Sequence, residues 1–192
     1  MAHDAPEAIL DTALPPELLL AFRAIFSHPA FDFPNCWNGD NEPAEAAAVL
    51  LYQDIKNELS AHPILARTIN ANGQTLLEKV IVARASACRD TLQFLIETNP
   101  HALIWEHGVR RHRRGKLIAP IHRLGESFWG EGLLPWIMEK YPWVFQHQLC
   151  QENPPHVAMV RSWVYNRCDL ETVRSFYELY PQGLREKESN FD

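Results

Sequence analysis

Ile137-Met138-Glu139-Lys140-Tyr141-Pro142-Trp143-Val144-Phe145 reads as an apolar helix that meets a proline and is followed by an apolar run. The arrangement occurs twice more, as Leu95-Ile96-Glu97-Thr98-Asn99-Pro100-His101-Ala102-Leu103 and as Phe176-Tyr177-Glu178-Leu179-Tyr180-Pro181-Gln182-Gly183-Leu184. Pro100, Pro142 and Pro181 are 42 and 39 residues apart. Weaker echoes at His62-Pro63-Ile64-Leu65 and His28-Pro29-Ala30-Phe31 carry the spacing back by 37 and 34 residues. A pattern returning at such intervals marks a repeat architecture, in which one supersecondary unit recurs and each copy leans on its neighbours.

Counting back from each proline, positions −8, −5 and −4 hold Leu92, Leu95 and Ile96, then Leu134, Ile137 and Met138, then Val173, Phe176 and Tyr177. Spacing of i, i+3, i+4 is one apolar stripe on a helix. Position −3 is a glutamate each time (Glu97, Glu139, Glu178), on the opposite side. The proline ends the helix, because its ring clashes with a helical carbonyl and drives the preceding residue out of the α region. A shorter helix comes first. Ala119-Pro120-Ile121-His122 stands 23 residues before Pro142, Ala158-Met159-Val160-Arg161 stands 23 before Pro181, and Thr75-Leu76-Leu77-Glu78 stands 25 before Pro100. Leu77 and Val80, Ile121 and Leu124, and Val160 and Trp163 are the matching apolar pairs. Arg89-Asp90, Gly130-Glu131-Gly132 and Cys168-Asp169 supply the turns between helices. The spacing predicts an all-α helix-turn-helix repeat solenoid in a single domain spanning 1–192, with helix pairs over 62–100, 115–142 and 154–181.

Gly73-Gln74-Thr75-Leu76-Leu77-Glu78 resembles the Gly-x-Thr-Pro-Leu-His start of ankyrin repeats, and Ala119-Pro120-Ile121-His122 resembles it more closely. Tyr180-Pro181-Gln182-Gly183-Leu184-Arg185-Glu186-Lys187-Glu188 is similar to a junction found in a divergent ankyrin branch. The resemblance covers about residues 60–192. It implies an ankyrin-type solenoid in which the Pro opens the first helix, Thr and His side chains tie neighbouring repeats, and a finger loop projects toward the ligand. Glu78 and Arg161 stand where that family has His, the third start lacks Thr and Pro, and the spacing exceeds the family's ~33 residues.

Residues 14–27, with Pro15-Pro16-Glu17 opening a Leu-rich helix, and the alanine-rich 43–61 are predicted helices. They make 1–61 an N-terminal helical cap or a set of degenerate repeats, with Asp32 to Glu42 as loop between them. At the other end Arg185 to Asp192 reads as a junction and not a polar cap. The last apolar face is therefore expected to meet further repeats or to self-associate.

Hydrophobic residues at 46 % and charged residues at 22 % of 192 exclude a disordered chain, a collagen-like chain and a disulfide miniprotein. Eighteen Lys and Arg against 24 Asp and Glu, a net charge of −6, weigh against a surface built to bind nucleic acid all over. Cysteines at 36, 88, 150 and 168 form no CxxC pair, which fits reduced thiols in an intracellular protein, cytoplasmic or nuclear. Acid and proline at Asp4, Pro6 and Glu7 do not suit a signal peptide, and Leu18 to Phe26 is too short to span a bilayer. No membrane partner is expected.

The sharpest local feature is the basic inter-repeat loop, 104–118. Arg110, Arg111, His112, Arg113, Arg114 and Lys116 crowd into it, and no acid interrupts the stretch from His107 to Gly125. Clustered guanidinium groups pair with carboxylate and phosphate, whereas the plain alternative is a solvated loop held open by its own repulsion. Among six tryptophans, Trp105 and Trp129 are the expected exposed contacts, and Trp136 and Trp163 fall on or beside stripe positions and are expected in the core. His147-Gln148-Leu149-Cys150 has half the spacing of a zinc site but no second half, so no metal is expected. Gly125-Glu126-Ser127-Phe128-Trp129-Gly130 misses the nucleophile-elbow register and lies in predicted helix. No catalytic residue and no cofactor is assigned. The expectation is a non-catalytic protein-binding module whose partner is acidic at the contact. The alternatives are a nuclear or nucleic-acid-associated adaptor, and an enzyme built from His122, His147 and Cys150.

Overall fold

A computed structural model describes residues 8–28, 42–83, 89–105, 110–111, 117–124, 131–152, 155, 159–160, 163–164 and 168–180. These are mostly helical, as the stripe spacing requires. Helix α1 (Pro16–Phe26) and the long α2 (Glu42–Ala61) come first. Then follow α3 (Leu76–Ala83) and α4 (Arg89–Thr98), α5 (Pro120–Leu124) and α6 (Leu134–Lys140), and two one-turn helices, α7 (Pro142–Gln146) and α8 (Gln148–Glu152). Residues 159–160 and 163–164 are helical, and α9 (Leu170–Leu179) is the last described helix. Among the described residues, the strands are four two-residue pieces. β1 (Ile9–Leu10) pairs in parallel with β2 (Thr68–Ile69), and β3 (Arg110–Arg111) pairs antiparallel with β4 (Leu117–Ile118). The predicted loop at 32–41 and the echo at Pro29 lie outside the described residues, and Glu42 opens α2 in place of closing that loop.

The prolines do more than end helices. Pro63 and Pro100 each begin a 3₁₀ turn (Pro63–Arg67 and Pro100–Ile104), and Pro142 begins α7. Proline suits that first position because its missing N–H has no intrahelical partner there. The residue in front takes the same conformation every time. His62, Asn99, Tyr141 and Tyr180 have φ between −131° and −148° and ψ between 57° and 81°, outside the α region that the proline ring forbids. All four close the helix behind them, and His62, Asn99 and Tyr141 also open the turn ahead. His62, Asn99 and Tyr141 donate their N–H to Glu58, Leu95 and Ile137 at 3.0, 2.9 and 2.7 Å. Their carbonyls accept from Leu65, Ala102 and Val144 at 3.0, 3.1 and 3.0 Å. The weak echo at His62-Pro63 is thus the same backbone device as the two strong copies after it.

Burial follows this register. Leu92, Leu95, Ile96, Leu134, Ile137 and Phe176 are buried, Met138, Val173 and Tyr177 are half-buried, and Glu97, Glu139 and Glu178 are all exposed. The second and third residues after each proline are buried too: Leu65 and Ala66, Ala102 and Leu103, Val144 and Phe145. At about 1.5–3 kcal/mol for each large aliphatic side chain, the turns contribute to the core as helices do. Helix α4 sits at the centre, packing on α2, on α3 and on both 3₁₀ turns that flank the pair.

Consecutive turns are tied to one another. The Asn99 side-chain amide donates to the buried carbonyl of Ala66 at 3.3 Å. The rings of His101 and Trp143, each the first residue after its proline, lie 4.6 Å apart. The Tyr180 hydroxyl donates to the carbonyl of Phe145, which also accepts from the Gln151 side chain at 3.0 Å. Between exposed helix ends, Lys140 Nζ meets Glu97 Oε1 at 2.7 Å. This pairing holds the Glu97 carboxyl below its ordinary pKa and the Lys140 ammonium above its own.

Candidate interaction surface

Two residues of the basic stretch, Arg110 and Arg111, form β3, which pairs with β4 between the Pro100–Ile104 turn and α5 in the chain. Arg110 stands opposite Ile118 and Arg111 opposite Leu117. On either side of this strand pair in sequence, Trp105 is only 6 % exposed and Ala119 is fully buried. The matching connection of the preceding pair is much shorter. It turns at Asn70-Ala71-Asn72-Gly73, where the Asn70 side chain accepts from the Asn72 and Gln74 amides at 3.0 and 2.9 Å. Gly73 takes φ 71°, a value that favours glycine. His112, Arg113, Arg114, Lys116 and Trp129 lie outside the described residues.

Trp105 belongs to the hydrophobic core and offers no free face, which corrects the expectation of an exposed contact. The residue is apolar, caps the 3₁₀ turn, and leaves the charge of the loop to begin beyond it. Trp163 departs in the opposite sense: expected in the core, it is 47 % exposed. Trp136 is half-buried, edge-on to Tyr141 at 5.8 Å and beneath Lys140 Nζ at 5.2 Å.

Thr75 and His122, the side chains expected to tie neighbouring repeats, make their shown bonds inside their own helix starts. The Thr75 hydroxyl accepts from the Glu78 N–H at 3.0 Å, and His122 Nδ1 accepts from the Ala119 N–H at 3.0 Å. Both satisfy amides that a helix start leaves orphaned. The two serve different amides: Thr75 accepts from a residue inside its helix, whereas His122 reaches back to the residue in front of α5. The Cys150 thiol is buried and its pKa is pushed up to about 12 by desolvation, which keeps it protonated at neutral pH. The His147 carbonyl accepts from the Cys150 and Gln151 amides at 2.9 and 3.0 Å and so starts α8. Among the described residues no three His, Cys, Asp or Glu side chains come together to hold a metal ion. No described helix is long and apolar enough to cross a membrane.

Sequence reasoning missed a cleft of about 420 Å³ between α6 and α9, lined by Trp136, Glu139, Asp169, Thr172 and Ser175 among others. Two residues read only as parts of turns, Gly132 and Asp169, are among those that line it. The Asp169 carboxylate accepts from the Thr172 N–H at 2.7 Å, which caps α9 and lowers its pKa.

No protein-family model matches the chain, and no curated protein or solved structure matches it significantly.

Proposed function

We propose that the helix pairs stack as an ankyrin-type solenoid, and that the chain is a non-catalytic interaction module gripping an acidic partner through its basic hairpin and concave side. The observation that carries this reading is the pairing of Arg110–Arg111 with Leu117–Ile118, within a stretch of sequence from His107 to Gly125 that has no acid. Six of the 18 Lys and Arg fall in that stretch, which leaves 12 to face 24 acids in the rest of the chain. One cationic projection on an acidic body favours an acidic partner, steers its approach and repels a basic one.

The non-catalytic half of the reading is supported by what the candidate catalytic groups are doing. His122 Nδ1 is engaged by backbone, and Cys150 is a buried protonated thiol. An intracellular, cytoplasmic or nuclear, setting fits reduced cysteines and such a charge pattern.

The test is fluorescence anisotropy with a labelled polyglutamate peptide over a salt series, for the wild type and for Arg110→Glu combined with Arg113→Glu. Binding that falls with salt and is lost in the double variant is expected. Equal binding by both proteins refutes the hairpin as the contact. Tighter binding of a DNA duplex than of polyglutamate, with a steep salt slope, favours the nucleic-acid-associated alternative.

A further inference from the structure

In front of both α3 and α5 the backbone pairs antiparallel with itself. Ile69 of β2 stands opposite Thr75, the residue before α3, and Arg110 and Arg111 of β3 stand opposite Ile118 and Leu117 of β4, just ahead of α5. Each first strand follows a 3₁₀ turn that begins on a proline, Pro63–Arg67 in one case and Pro100–Ile104 in the other. The two differ on the far side. Successive residues of an antiparallel pair turn their N–H and C=O alternately toward the partner and away from it. The Asn70 N–H donates to the Gln74 carbonyl at 3.0 Å, so its neighbour Ile69 turns its own two groups away from Thr75. On that side lies β1, with Leu10 beside Ile69 and Ile9 beside Thr68 in parallel register. The segment at 9–10 thus completes the edge of β2. The same alternation applies to β3: one of Arg110 and Arg111 turns its N–H and C=O away from β4. Among the described residues β3 pairs with β4 alone, and no third strand stands where β1 stands on β2.

We infer that the far edge of β3 takes an extended acidic segment of the partner by strand addition, as the edge of β2 takes β1. The inference rests on the acidic-partner reading above and specifies the form in which that partner binds. Two observations select the occupant. An extended segment already lies along the corresponding edge within this chain, and two residues suffice for the pairing there. The charge around β3 then decides what kind of segment it is. The stretch of sequence from His107 to Gly125 holds six Lys and Arg and no Asp or Glu. The same strand of a second copy brings the same charge and is repelled, whereas a segment rich in Asp and Glu is attracted. A strand edge offers main-chain donors and acceptors that any extended backbone can meet, so pairing supplies affinity and charge supplies selection.

The experiment separates main-chain pairing from charge. The whole chain is titrated with a fluorescein-labelled peptide of alternating Glu and Thr, and with the same peptide N-methylated at every residue. Methylation keeps the carboxylates and removes the main-chain donors. Hydrogen exchange of the Arg110 and Arg111 amides is followed by NMR in the same titrations. The unmethylated peptide is expected to bind at least ~10-fold more tightly, the loss that one or two main-chain hydrogen bonds entail, and to slow exchange at one of the two amides. Equal affinity for the two peptides overturns strand addition and leaves the acidic-partner reading standing. Binding of neither overturns that reading and this inference with it. Binding that leaves exchange at both amides unchanged overturns β3 as the place. Slowed exchange that appears without peptide and grows with protein concentration makes a second copy the occupant and overturns the acidic segment.

Discussion

Asn99→Ala isolates one tie between consecutive turns. Asn99 is 2 % exposed and sits just before Pro100, where it makes no side-chain cap for the turn it opens. Its side chain is committed to the Ala66 carbonyl, 33 residues back, at 3.3 Å. Removing the amide leaves a buried acceptor without that donor, at a cost of about 1–3 kcal/mol. In a chain of this length that corresponds to a fall in Tm of roughly 2–12 °C. Thr98→Ala is the matched control. Its hydroxyl bonds only to Phe94 within α4, at a half-buried position, and its loss should stay within about 0.5 kcal/mol. Asn99→Asp supplies the signature of the tie. It keeps the size but sets a carboxylate against a carbonyl oxygen in a buried place, so it should be worse than alanine. Urea unfolding followed by tryptophan fluorescence gives all three values. If Asn99→Ala falls no further than Thr98→Ala, or Asn99→Asp is milder than alanine, the turns are not held together by this bond.

Tyr180→Phe should cost less than Asn99→Ala, about 0.5–1.5 kcal/mol by chemical denaturation, because the Phe145 carbonyl keeps its bond from Gln151 at 3.0 Å. Ile96→Ala, in the last turn of α4 and fully buried, should lose about 2–5 kcal/mol in the same assay; a loss under about 1 kcal/mol would place the core elsewhere. Cys150 should resist alkylation at pH 8 in the native protein and react in urea, as read by mass mapping, since burial holds its thiol pKa near 12. For the Glu97–Lys140 pair the two signs differ. Glu97, lowered by its bond to Lys140, adds stability that is present above the ordinary carboxylate pKa and is lost as pH falls through the depressed one. Lys140, raised by Glu97, adds stability below the ordinary lysine pKa that is lost as pH rises through the raised one. A carboxyl ¹³C titration should place Glu97 below the usual carboxylate range and return it there in Lys140→Met; an unmoved midpoint refutes the pairing.

Much of the helical frame was legible because burial was written as spacing. Leu92, Leu95 and Ile96 against Glu97 assign one face inward and one outward with no tertiary information. The turns were legible only by half. A proline after an apolar helix says where the helix stops, but whether the chain then coils again depends on apolar residues two and three places on finding a core, as Val144 and Phe145 do. Trp105 and Trp163 could not be placed from sequence, because a tryptophan beside a charged loop and one on a stripe are sorted by what packs over them. The hairpin at 110–118 was legible as a charge run but not as paired strand, since Arg110 and Arg111 carry no alternation of apolar and polar residues.

What recurs along this chain is a set of geometric tasks and not a set of residues. Orphan amides at a helix start are met by a Thr75 hydroxyl in one pair and a His122 ring in the next. Consecutive turns are joined by an Asn99 amide, then by the His101 and Trp143 rings, then by a Tyr180 hydroxyl. Asn99 and Tyr180, each just before its proline, reach the carbonyl three places after an earlier proline, that of Ala66 and of Phe145, so residue identity drifts there while the bond register holds; Thr75 and His122 serve different amides of their helix starts. That accounts physically for the first copy, His62-Pro63, looking weak in sequence and yet carrying the same two backbone hydrogen bonds as Asn99-Pro100 and Tyr141-Pro142. It also says where substitution is cheap and where it is not. A new capping side chain is tolerated wherever another atom can reach the amide, but the proline and the buried residues two and three places after it leave the chain no second way to make the turn.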